Sequence, residues 1–146
     1  MALPVLLSDE IDHWFFSQYF VDFIAIGTGR VGPDKILTYW GVPLHMSNPK
    51  SSRWLTSSEE VRRFLQEMQG ALKKEGYTHT KVMDKKITSY SENASRVETI
   101  MSRCRDDDTE MDRAAISFEI RRTEESWLII SAAARPTVLS KLDDVW

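Results

Sequence analysis

The sequence predicts an α+β domain in which N-terminal helices precede a curved antiparallel or mixed sheet wrapped around one long helix. Three observations carry that prediction. Residues Glu10 to Ile26 are apolar on nearly every side of a helical wheel. Ser57 and Glu60 form a capping-box pattern ahead of Val61, Phe64, Leu65, Met68, Ala71 and Leu72, which recur at helical spacing. From Tyr77 onward the composition changes to that of strands, in four segments separated by short polar runs.

Each element has a local reason. Ser8 or Asp9 can cap the first helix, because their short side chains accept bonds from unpaired first-turn amides, and Gly27 and Gly29 end it. A helix apolar all round must be covered by the sheet on one side and by another element on the other. Pro33 to Trp40 reads as a short second helix with Pro33 in its first turn, stopped by Gly41 and Pro43. Val42 to Ser47 and Arg53 to Leu55 read as a strand pair joined through Asn48-Pro49-Lys50-Ser51. The long helix stops at Gly76. Its charged residues Arg62, Arg63, Glu67, Lys73 and Lys74 lie off the apolar stripe, as expected of a helix with one solvated face.

The four later strands fall near Lys81 to Glu92, Arg96 to Arg105, Ala114 to Arg122 and Trp127 to Ala134. The separators Glu92-Asn93, Asp106-Asp107-Asp108 and Thr123-Glu124-Glu125-Ser126 are short enough for the turns of an antiparallel meander. Alternation puts Ile116, Phe118 and Ile120 on one face, whereas Leu128 to Ala134 is apolar on both, so the last strand should be central. We read the 146 residues as one domain, with a core over about 9–136 and a tail over 137–146 whose Leu139, Leu142, Val145 and Trp146 form an apolar patch against the body or another subunit.

Composition narrows the function. A net charge of −3 gives no attraction for phosphate backbones or anionic lipids, so nucleic acid and membrane partners are disfavoured. The apolar stretch Phe15 to Ile26 is interrupted by Gln18 and Asp22 and falls short of a membrane span. Met1 to Leu7 has no basic residue and is read as part of the mature fold. Cys104 is the single cysteine, which precludes an intrachain disulfide and fits a reducing, cytoplasmic setting. The three histidines, Cys104 and the Asp106-Asp107-Asp108 run make no metal-ligand spacing, and there is no phosphate-cradling glycine loop or serine-nucleophile elbow. We therefore expect no metal and no cofactor.

The element order, with the stretches Tyr39-Trp40-Gly41-Val42-Pro43-Leu44, Ser57-Ser58-Glu59-Glu60-Val61 and Arg122-Thr123-Glu124-Glu125-Ser126-Trp127, resembles the nuclear transport factor 2-like superfamily over roughly Glu10 to Pro136. It looks most like an uncharacterised SnoaL-like branch, related to polyketide cyclases, ketosteroid isomerase, scytalone dehydratase and limonene epoxide hydrolase. The resemblance implies a cystatin-like cone with a pocket between the sheet's concave face and the helices, and dimerisation through the sheet. Ketosteroid isomerase carries a tyrosine on its first helix, to which Tyr19 corresponds, and an aspartate on its first strand, where this chain has His45 and Ser47. His45, His79, Tyr77 and Tyr90 match the histidines and tyrosines of scytalone dehydratase by type alone.

The candidate catalytic residues are His45, Asp22, Tyr19 and Arg103. His45 can move a proton near neutral pH, although a lone strand histidine is more often a hydrogen-bonded or exposed one. Asp22 lies in a very apolar helix, where it either tunes a proton transfer or pairs with an arginine such as Arg30. Tyr19 either holds an oxyanion or is core, the commoner fate of an aromatic at helical spacing. Arg103 shares strand parity with Val97, Thr99 and Met101, the more apolar face, so its guanidinium can reach into the pocket mouth and bind a carboxylate. Trp40, Trp54, Met101 and Phe118 are the candidate ligand-binding residues. The reading that results is a cofactor-free isomerase, cyclase or dehydratase acting on an apolar, ring-containing small molecule. The alternatives are a non-catalytic binder of such a molecule and a homodimeric assembly module.

Overall fold

The computed structural model describes residues 3–145. Helix α1 (Leu3–Asp12) runs without interruption through a π-helical segment (His13–Tyr19) into α2 (Phe20–Gly27). A 3-10 turn (Pro33–Thr38) leads into β1 (Trp40–Asn48) and β2 (Ser51–Leu55), then α3 (Ser58–Lys74), then β3 (Tyr77–Ser91), β4 (Ala94–Arg105), β5 (Glu110–Arg122) and β6 (Trp127–Pro136). The sheet order is β2-β1-β6-β5-β4-β3. β1 pairs with β6 in parallel, and every other neighbouring pair is antiparallel. The last strand is thus central, as its two apolar faces require. It bridges the N-terminal hairpin to the meander.

The first helix starts earlier than Ser8 or Asp9, and it is not α-helical throughout. In the π segment the amide of Phe20 bonds to the carbonyl of Phe15, one residue further back than in an α-helix. The wider turn brings Trp14, Phe15 and Tyr19 inward together, and Phe15 meets Phe118 edge-on at 4.8 Å between ring centroids. The helix is tied to the sheet at its edge as well. The indole of Trp127 donates to Glu10 at 3.0 Å, and the Arg122 guanidinium stacks over the same indole at 4.1 Å.

The long helix follows the sequence closely. Ser57 accepts from the amide of Glu60 at 3.2 Å, and Glu60 reaches back to the amide of Thr56 at 2.6 Å. Its apolar stripe faces the concave side of the sheet, with Val61 and Leu65 fully buried. Gly76, at φ 89°, makes the left-handed turn into β3, which starts at Tyr77, four residues before the expected Lys81.

The tail folds back on the body. Leu142 is buried against Ile100 and Ala115 on the sheet's other face, with Val145 beside it, and its amide donates to Asp84 at 2.8 Å. Met1, Ala2 and Trp146, which the sequence reading assigned to the mature fold and the tail patch, lie outside the described residues. Among the described residues no helix is long and apolar enough to cross a membrane.

Candidate functional site

The helices cover the concave face incompletely, and a cavity of about 290 Å³ remains between them and the sheet. Its walls come from every layer: Tyr19, Phe20 and Phe23 from the first helix, Phe64, Met68 and Leu72 from α3, and Met101, Ile116, Phe118, Ala132 and Ala134 from β4, β5 and β6. Small residues on β6 hollow out the sheet where Phe118 and Met101 fill it. This volume suits one small ring system, at the low end of small-molecule sites.

Polar groups gather at the strand ends. Ser47 and Asn48 stand at the end of β1, and Tyr77, Thr80 and Arg103 at the opposite wall. Thr80, Arg103 and Asp112 are direct cross-strand partners on β3, β4 and β5, so they form one polar rung. Arg103 donates through Nε to Asp112 at 2.6 Å, and its Nη2 bonds to the other carboxylate oxygen. The Tyr77 hydroxyl lies 2.7 Å from the Thr80 hydroxyl, and burial raises its pKa. None of the described residues lining this cavity is an Asp, Glu, His, Lys or Cys.

At the closed end, the Trp40 indole donates to the Tyr19 hydroxyl at 3.0 Å. Complete burial pushes the Tyr19 phenol far up, so it stays neutral throughout the working pH range. Behind it Tyr39 donates to Asp22, and burial together with that carboxylate raises the Tyr39 pKa as well. Asp22 therefore has a tyrosine partner rather than Arg30, and it does not line the cavity. A second cavity of about 160 Å³ between α2, α3 and the start of β3 shares Phe23, Leu72 and Tyr77 with the first.

Of the four expected catalytic residues, Tyr19 and Arg103 reach the cavity wall; His45 does not. Leu44 and Met46 point to the core, and strand alternation turns His45 to the opposite face. There its Nε2 lies 2.9 Å from the Ser52 hydroxyl and its ring 4.8 Å from that of Trp54, its partner on β2. Trp40, Leu44 and Met46 share one parity along β1 and all face the core, although the pairing of β1 with β6 shifts register between Trp40 and His45. Trp54, expected to bind ligand, is 62% exposed beside His45, whereas Trp40, Met101 and Phe118 line the cavity.

The other residues noted by type are dispersed. His79 bonds to Asp108 at 2.6 Å and Tyr90 to Glu119 at 3.3 Å, both on the exterior. Arg96 and Glu119, direct cross-strand partners, form an ion pair at 3.0 Å. The sequence reading assigned Phe64, Met68 and Leu72 to a packed stripe. They pack and also roof the cavity. Met46, Asn48 and Thr80 had no distinguishing signal.

Fold and site together define a cone-shaped domain with an apolar small-molecule-sized cavity. The family model for "NTF2-like protein (DUF6841)" matches residues 9–137, and the chain belongs to this NTF2-like family. Solved structures agree on the fold. An NTF2-like protein with a cystatin-like fold from Novosphingobium aromaticivorans is 13% identical with a TM-score of 0.64, covering 93% of this chain and 86% of its own. A candidate calcium/calmodulin dependent protein kinase II association domain from Xanthomonas campestris is 12% identical at a TM-score of 0.60, covering 84% and 86%. A candidate ketosteroid isomerase from Parabacteroides distasonis is 11% identical at 0.56, covering 82% and 86%. No curated protein matches the sequence.

Proposed function

We propose that this protein binds an apolar, ring-containing small molecule in the cone without transforming it. The observation that supports this reading is the composition of the cavity wall, which is aromatic and aliphatic with a few polar groups at one end. Acid/base catalysis needs a group able to exchange a proton near the working pH. Tyr19 and Tyr77 are shifted away from that range, and Arg103 is permanently charged.

Calorimetric titration with fused-ring compounds tests the reading. One-site binding with a negative heat-capacity change is expected, since the ligand leaves water for an apolar wall. The absence of saturable binding across such a set would contradict it.

A second reading, the acid/base isomerase, draws on Tyr19 and Arg103 at the wall and on the name of the Parabacteroides neighbour. Turnover of a ketosteroid that is lost in Tyr19→Phe would favour it. Homodimerisation is supported by a separate surface, where Trp54 is exposed together with Val42 on β1 and β2. Sedimentation of the intact chain at micromolar concentration tests it, and a monomer would contradict it.

A further inference from the structure

We infer that Asp112, which stands beside Arg103 on the same rung of the sheet and is partly exposed, sets ligand specificity by neutralising Arg103, so that the pocket selects a neutral carbonyl or hydroxyl on its apolar ligand and disfavours a carboxylate. The inference rests on the binding role proposed above and names the polar group that the ligand carries. Arg103 is the one charged side chain among the described residues lining the main cavity. Alone, it would recruit an anion. It is not alone, because Asp112 takes both its Nε and its Nη2 in a two-point pair on the same rung of the sheet.

Such a pair has two effects. It fixes the plane of the guanidinium, and it leaves Nη1, which makes no hydrogen bond among the described residues, as the donor available to a ligand. It also matches the guanidinium's charge with a carboxylate on its other side, so a second anion bound at Nη1 meets an ion pair rather than a free cation and is repelled by the Asp112 carboxylate. The two side chains are 32% and 43% exposed, so water screens this repulsion without removing it. A ketone or hydroxyl oxygen takes the N–H bond without that repulsion. The Tyr77 and Thr80 hydroxyls complete a neutral hydrogen-bonding end, since they bond to one another at 2.7 Å and hold no charge.

The test uses three probes of one ring size, 2-methylnaphthalene, 2-acetylnaphthalene and 2-naphthoate, titrated at neutral pH into the full chain and into Asp112→Asn, a near-isosteric change that keeps an acceptor facing Arg103. With the native protein the ketone is expected to bind about tenfold tighter than the hydrocarbon, the increment of a hydrogen bond to a charged donor, and tighter than the carboxylate. In Asp112→Asn the naphthoate affinity should rise about tenfold as the repulsion is removed, with the hydrocarbon unchanged as a control for fold. Arg103→Gln should erase the ketone's advantage over the hydrocarbon.

A native preference for naphthoate, or a ketone-to-naphthoate ratio unaltered by Asp112→Asn, would overturn the role of Asp112 while leaving the binding role intact. If Asp112→Asn does not fold, Arg103→Gln decides, and an undiminished ketone advantage there would overturn the inference. Failure of all three probes to bind the native protein would overturn both.

Discussion

The Trp40 indole nitrogen donates to the Tyr19 hydroxyl across 3.0 Å, joining the first helix to the first strand at the closed end of the cavity. Both residues are almost wholly buried. Removing one partner strands the other where water cannot replace it. Tyr19→Phe and Trp40→Phe should each lose about 1–3 kcal/mol from the unsatisfied partner, with Trp40→Phe losing more because packing area goes as well. The double variant should lose less than the sum, since neither group is then orphaned. Urea denaturation of the four proteins measures the coupling.

The acidic side chains predict a stability that falls on acidification. The Ser102 hydroxyl, followed by Arg113, holds the Glu110 carboxyl below its ordinary pKa. Hydrogen bonds from Thr109 do the same for Asp107, the His79 contact for Asp108, and the Thr56 amide for Glu60. A carboxyl whose pKa is depressed on folding contributes stability that is present above its unfolded pKa and lost as pH falls through the folded one. The melting temperature should therefore be level between about pH 7 and 5 and drop below about pH 4. All four side chains lie at the surface, so the drop should be shallow and weaken further in high salt. A melting temperature that climbs as pH falls below 4 would contradict this.

His45→Ala should change ligand affinity less than twofold, because the imidazole packs with Trp54 and Ser52 on the face away from the cavity. Calorimetric titration with a ring compound checks it. The same substitution removes an exposed contact and should cost no more than about 0.5 kcal/mol.

Much of the architecture was legible because local chemistry and global fold agree in it. The cap at Ser57 and Glu60, the stripe on α3 and the central, doubly apolar β6 all follow from spacing that the tertiary structure reinforces. Arg103 was legible for the same reason, since parity along a regular strand places it beside Met101. His45 and Trp54 were not. Their facing is set by which neighbours are drawn to the core, Leu44 and Met46 on β1 and Leu55 on β2, and short strands of mixed composition do not announce that choice. The π-helical segment was equally hidden, because its sequence is an apolar helix by any local measure and the extra residue per turn answers the sheet beneath it. Asp112 carries no signal of its own; it matters only as the cross-strand neighbour of Arg103.

The most direct test of the small-molecule role is to fill the cavity from the sheet side. Ala134 on β6 lines the cavity and is itself only partly buried, so Ala134→Phe adds a ring to the ligand space at modest cost to packing. Titration of 2-acetylnaphthalene into the native and Ala134→Phe proteins, with their melting temperatures recorded alongside, should show one-site binding to the first and at least tenfold weaker binding to the second at similar stability. Equal affinity in the two proteins would place the ligand outside the cone and contradict the account.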